Sequence, residues 1–295
     1  LWVGTFILAL IVLRAYFYRL NSYTQSAFVL KKAAKEVKKA ILRGDEREAF
    51  LWIETIVEAA SQAIQEGSLR NATLAFENML QCVDSFVKGS SQSSALSDSS
   101  LTDRVQYFSV YLFRRLEWLF ARSLSAHMEP VAEGILSTFG KICVSLAQFH
   151  PMLSHLPLLF IEKCCNEAIE NDADELAARA QATLSELAKT FIRISREKGE
   201  SKREIVLKAL SHLETGVKNN FKKKKEMSVA LLMQPFAEIG DLLAEPYYQS
   251  FPNREEYIAE LRRILQEFSV LDVSIQAPSI TAAGGTEDVI ESSSR

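Results

Sequence analysis

The sequence predicts an all-α protein, in which a transmembrane helix leads into an antiparallel array of helix hairpins, stacked as an α-solenoid or gathered into an irregular bundle. Three observations predict it. The 295 residues hold only 11 Gly and 7 Pro, so breakers punctuate long runs of Ala, Leu, Glu and Lys instead of interrupting them. No stretch alternates with the period of two that marks a half-buried strand. Leu1 to Leu13 carry no charge, while 48% hydrophobic and 24% charged residues over the whole chain supply material for a large core.

Residues 1–20 are expected to form the transmembrane helix. Thirteen uncharged residues span roughly 20 Å, short of a hydrocarbon core of about 30 Å. Counting through Tyr18, with Arg14 snorkelling to phosphate, reaches about 27 Å. Tyr16, Phe17 and Tyr18 beside Arg14 form the aromatic and basic collar of a helix leaving lipid. The chain opens on Leu and the span is short, so further sequence upstream is expected. No basic segment precedes the apolar run and no small-residue cleavage site follows, which fits a signal peptide poorly. The competing reading is a buried helix of a soluble protein.

Residues 21–44 are expected as a basic amphipathic juxtamembrane helix. Arg14, Arg19, Lys31, Lys32, Lys35, Lys38, Lys39 and Arg43 face a single acid, Glu36, in this flank. The positive-inside rule places that flank in the cytoplasm, beneath the inner cell membrane. At 100° per residue the six cations from Lys31 to Arg43 share one arc, and Leu30, Ala33, Ala34, Val37, Ala40 and Ile41 fill the other. Such a helix lies against anionic lipid, caps the following domain with its apolar side, or does both. Cys82, Cys143, Cys164 and Cys165 sit in apolar helical patterns without a disulfide spacing, as reduced thiols do.

Residues 45–270 are expected as a helical cytoplasmic domain. A helix from about Ser22 to Leu42 ends at Gly44, and the next covers Glu46 to Gln65 and stops at Gly67. Leu69 to Val87 follows, closed by Lys88-Gly89. Residues 89–100 hold seven serines and are expected as a flexible loop. Helices then cover Thr102 to Ala126, Glu129 to Phe149, Leu153 to Glu170, Asp174 to Lys198, Lys202 to Phe221, Met227 to Ala244 and Asn253 to Phe268. Residues 271–295 lack the apolar content to fold and are expected to be disordered. A weak repeat runs through the second helix of each pair: Ala72, Ala75, Met79 and Phe86 align with Ala132, Ile135, Phe139 and Leu146. Ala177, Ala180, Leu184 and Phe191, and then Val229, Leu232, Phe236 and Leu243, fall in the same register.

No catalytic constellation, cofactor motif or metal-ligand spacing accompanies these helices. His150 and His155 are five apart across Pro151, and HExxH, CxxC, GxxxxGK[ST] and GxGxxG are absent. A Cys164 or Cys165 nucleophile with His155 would lack an orienting third group. The acids from Glu167 to Glu175 suit a solvated helix junction. Lys222 to Lys225 read as a solvated helix end or a lipid contact. A net charge of −3 without interleaved aromatics argues against nucleic acid.

Gly4-Thr5-Phe6, Ala9-Leu10 and Val12-Leu13-Arg14 resemble a span in a family of multi-pass bacterial membrane proteins of unknown function. Phe50-Leu51-Trp52-Ile53 through Ala63 is similar to the start of that family's soluble region. The resemblance implies several spans ahead of a helical cytoplasmic domain, though a basic helix stands here where the family has another span. The expectation is a non-enzymatic, membrane-anchored scaffold or regulatory domain that meets the lipid bilayer and a protein partner or a second copy of itself. The alternative is a component of a channel or transporter whose pathway lies in upstream spans.

Overall fold

The computed structural model describes residues 27–92, 98–149, 151–198, 202–222 and 227–270. The expected transmembrane helix, Arg14 and Arg19, and the expected disordered tail lie outside the described residues. Helix α1 covers residues 27–43. It is followed by α2 (Glu46–Gln65), α3 (Leu69–Gln92), α4 (Asp98–Ser125), α5 (Glu129–Phe149), α6 (His155–Glu170), α7 (Asp174–Lys198), α8 (Arg203–Lys222), α9 (Met227–Ala244) and α10 (Arg254–Val270). Short 3₁₀ turns at Pro151–Ser154 and Pro246–Tyr248 precede α6 and α10. No strand occurs among the described residues.

Two boundaries differ from the sequence reading. The serine-rich stretch 89–100 is not one loop: α3 continues to Gln92 and α4 begins at Asp98. Serine costs only a few tenths of a kcal/mol in a helix, too little to stop one already propagating from a packed segment. The expected helix from Leu153 is divided, since Pro151–Ser154 winds as a 3₁₀ turn and α6 starts at His155. Pro157 is tolerated in its first turn, where no intrahelical N–H is required.

Four junctions share one geometry. Gly44, Gly67, His127 and Asp172 all have positive φ, from 53° to 73°. At each, this residue donates its N–H to the carbonyl three back, and the next residue donates to the carbonyl five back. Ser68 N–H reaches Ala63 O at 2.8 Å, and Met128 N–H reaches Ser123 O at 2.9 Å. This is the Schellman closure, and the left-handed residue makes it possible. That conformation costs glycine little, whereas it costs His127 and Asp172 about 1–2 kcal/mol each. The residue after each left-handed position then accepts from an alanine four on: Ala49, Ala72, Ala132 and Ala177. All four alanines are buried, because a larger side chain there would hold the two helices apart.

The pairs α2–α3, α4–α5, α6–α7 and α8–α9 stack as antiparallel hairpins. The first helices α2, α4, α6, α8 and α10 pack in sequence as one layer, and α3, α5, α7 and α9 as the other. This ordered stacking decides for a hairpin array over an irregular bundle. Burial repeats with it. Residues 61–87 and 121–147 alternate between inside and outside almost position for position. The sites of Met79, Phe139, Leu184 and Phe236 are equivalent and all buried, as are those of Phe86, Leu146, Phe191 and Leu243. Phe113, Phe139 and Phe160 join α4, α5 and α6 with ring centroids 5.5, 5.6 and 6.1 Å apart.

One helix among the described residues, Glu129–Ala147, is long and apolar enough to cross a bilayer. It is built into the repeat core instead: Val131, Ile135, Phe139, Ile142 and Leu146 are fully buried, and α3, α4, α6 and α7 all pack on it.

Candidate binding surfaces

Nucleophilic chemistry has little support within this core. All four cysteines are free and buried. Burial pushes the Cys82 and Cys165 thiols up to about 12 and raises Cys143 and Cys164 as well. A thiol held protonated in this way is a poor nucleophile at neutral pH. Among the described residues no group of three or more His, Cys, Asp or Glu is arranged to hold a metal ion. His212 meets Glu162 across the α6–α8 seam, His127 serves its turn, and His150 lies outside the described residues.

Helix α1 divides as its periodicity predicts. Leu30, Ala33, Val37 and Ala40 are buried in the core cluster, with Ala34 and Ile41 packed against it. Lys31, Lys32, Lys35, Lys38, Lys39 and Arg43 are exposed. Lys39 Nζ donates to Glu36 Oε1 at 2.7 Å, and this contact holds the Glu36 carboxyl below its ordinary range. Arg43 pairs with Glu48 at 2.5 Å. Lys31, Lys32 and Lys38 make no ion pair among the described residues. The apolar arc thus joins the domain, and the basic arc stays available to solvent or headgroups. Of Lys222 to Lys225, only the backbone of Lys222 is described.

A ladder of ion pairs joins the first-layer helices. Glu117, Glu162 and Glu214 occupy equivalent repeat positions, 45 and 52 residues apart. Each reaches a base on the next first-layer helix: Glu117 meets Lys163 at 3.6 Å, Glu162 meets His212, and Glu214 meets Arg263 at 2.6 Å. Burial works against ionisation of Glu214, but Arg263 and Lys218 outweigh it and hold the carboxyl below its usual range. The same position in α2, 60 residues before Glu117, is Val57. There the ladder shifts one turn, and Glu54 accepts from Tyr111 and pairs with Arg115. Burial, then the Glu54 contact, pushes the Tyr111 phenol up to about 12.

Beside that shifted rung the α2–α4 seam is open. One hollow of about 490 Å³ is lined by Phe50, Leu51, Tyr107 and Tyr111 with Glu46 and Glu54. A second, of about 450 Å³, shares Glu54 and continues past Val57, Glu58, Glu66, Arg115 and Trp118. The Phe50 ring lies 4.6 Å from Tyr111 and 5.6 Å from Tyr107, centroid to centroid. Leu51 and Tyr107 are each 64% exposed and Trp118 is 44% exposed, so large apolar side chains line these two adjoining hollows. The sequence reading did not find this groove. Its readable signal was a second aromatic stripe on α4: at 100° per residue, Tyr107, Tyr111 and Trp118 share a face distinct from Phe108, Leu112, Phe113 and Leu116.

The other layer offers a larger hollow, of about 780 Å³, between α5 and α7, lined by Gly134, Ser137, Gly140, Ala182 and Thr183 among others. Lys189 Nζ and Glu238 Oε2, 2.8 Å apart, tie α7 to α9 nearby. A Cβ on Gly140 would meet Thr183 at an ordinary 3.5 Å, so glycine there leaves space and is not forced by a close approach.

Comparison with known proteins adds little to this picture. No family model and no curated protein matches the chain. Among solved structures, the chain is similar to a circular tandem repeat protein with novel repeat topology and enhanced subunit contact surfaces. That match has 16% identity and a TM-score of 0.43, and covers 84% of this chain and 61% of that one. A de novo designed helical repeat protein has 18% identity and a TM-score of 0.42, over 69% of this chain and 98% of that one. The repeat architecture therefore rests on the chain's own packing.

Proposed function

We propose that this chain is a non-enzymatic helical-repeat scaffold that holds a partner protein at the cytoplasmic leaflet of a cell membrane. In this reading it is the anchored or regulatory part of an integral membrane protein, as the resemblance of its opening residues implies. The observation that carries the membrane part is the division of α1. Its apolar arc is used up by the core, so its exposed cations are not needed to keep the domain folded. Near an anionic surface each contributes roughly 1 kcal/mol. The partner-holding part is supported by the two layers of helices, which present long grooves of the kind repeat proteins use for recognition.

Amine labelling of the full chain, reconstituted into vesicles and read by mass spectrometry, tests the membrane contact. Lys31, Lys32, Lys35 and Lys38 should react several-fold more slowly with anionic vesicles than with phosphatidylcholine alone. Exposed lysines on other helices, such as Lys141, should react equally in both. Equal labelling of α1 in the two lipids would remove the lipid contact from this reading.

A further inference from the structure

We infer that the open α2–α4 seam is a docking groove for a basic amphipathic helix of a partner protein. The inference deepens the scaffold reading and rests on it. Three features of the seam specify the occupant.

The first is shape. The two hollows share Glu54 and run from Glu46 to Glu66 along α2. Twenty residues of helix measure about 30 Å, which matches a partner helix of similar length laid alongside. An extended peptide would have no sheet edge to pair with, since the described residues contain no strand. A helix satisfies its own backbone and needs only side-chain anchors.

The second is the apolar lining. Phe50, Leu51, Tyr107 and Trp118 supply large, partly rigid surfaces of the type that dominate binding energy when covered. In the α6–α8 seam the corresponding surface is closed: Asn166 and Asn219 bond at 2.9 Å, and Glu162 meets His212. At the equivalent position α2 carries Val57, and the bridge to α4 is made one turn earlier by Glu54, which leaves Phe50, Leu51 and Tyr107 lining the hollow beside it.

The third is charge. Glu46, Glu54, Glu58 and Glu66 line the groove against Arg47 and Arg115, and Arg115 is already engaged by Glu54. Among the described residues the exposed Glu58 forms no ion pair, and Glu66 accepts from Gln62 Nε2 at 2.8 Å. The groove is therefore net acidic around an aromatic floor. A partner helix with apolar residues at i, i+4 and i+7 and Lys or Arg on its flanks meets both requirements. A helix with acidic flanks is repelled, which sets specificity as well as affinity.

The test uses the full chain and two labelled 18-residue peptides with the same leucine positions, one bearing lysines and the other glutamates. Fluorescence anisotropy should show the lysine peptide binding at least tenfold more tightly, with the preference falling as salt is raised. The double variant E58K/E66K, at exposed positions that should leave folding unchanged, should lose or reverse that preference. Y107S should weaken binding of the lysine peptide by several-fold. Hydrogen exchange should slow in α2 and α4 when that peptide is bound. Equal affinity for the two peptides overturns the inference, as does binding indifferent to E58K/E66K. Protection confined to α5 and α7 overturns the groove but leaves the scaffold reading standing. Protection of α2 and α4 by phosphatidylcholine vesicles alone would make the groove a lipid contact and overturn the inference too.

Discussion

The α6–α8 seam and the α2–α4 seam are built from equivalent helices, yet one is sealed and the other open. In the sealed seam Glu162 and Asn166 each find a partner on the next helix, above a floor of Leu158, Ile161, Leu210 and Leu213 that is as buried as its counterpart Ile53, Ile56, Phe113 and Leu116 in the open seam. Gly216 lets Gln181 come in against α8: an added Cβ would lie 1.7 Å from Gln181 Nε2. In the open seam Val57 takes the equivalent position, the bridging carboxylate moves one turn to Glu54, and Tyr107 and Trp118 of α4 stay largely exposed. A repeat array can therefore keep its backbone geometry while a few side chains decide whether a seam is structural or available for recognition. Stability belongs to the first kind and binding surface to the second.

The comparison breaks most visibly under truncation. Ile161→Ala empties a closed seam and should cost about 2–5 kcal/mol. Leu51→Ala, at an exposed lip of the open groove, should stay within about 0.5 kcal/mol. Denaturant unfolding of the two variants measures the difference, and similar losses would mean that the α2–α4 groove is covered in the protein as it works.

Gly216→Ala sharpens the contrast from the opposite direction. Helix propensity alone favours the alanine by about 1 kcal/mol, but overpacking against the buried Gln181 costs about 1–3 kcal/mol, for a net loss of up to about 2 kcal/mol. Gln181→Ala in the same chain should restore stability, because it removes both the clash and an Oε1 without a protein partner. A double-mutant cycle with no coupling would show that Gln181 simply swings aside.

The smallest effect concerns the last rung. Arg263 and Lys218 hold Glu214 below its ordinary value of 4.5. A depressed carboxylate contributes stability above its unfolded pKa and loses it as pH falls through the lower folded value. Melting temperature should therefore drop on the acid side below about pH 4.5, and the drop should be shallower in Glu214→Gln. Identical acid limbs for the two proteins would mean the network adds nothing.

Much of the architecture was legible from residue order. Gly44 and Gly67 closed the first two helices at the expected places, and α2, α5, α7 and α9 have the bounds their punctuation implies. The alignment of Ala72 with Ala132 and Ala177 marked the repeat, and those alanines sit buried in the first turn after each Schellman closure. The left-handed role of His127 and Asp172 was not legible, since neither residue type announces positive φ. The α2–α4 groove escaped as well. Finding it required knowing that Val57 and Glu117 are equivalent positions and that Tyr107 and Trp118 stay largely exposed in the packed array.

By itself the sequence determined that the described residues are helical, where most of the helices end and which face of α1 carries charge. Those properties depend on propensity, capping and 3.6-residue periodicity, which act within a few residues. The tertiary structure alone decided that helices of equivalent pattern close one seam and leave another open. That outcome depends on which side chains of one hairpin meet those of the next, 46 to 61 residues on in the pairs Glu117–Lys163 and Glu54–Arg115, and no local rule reaches so far along the chain.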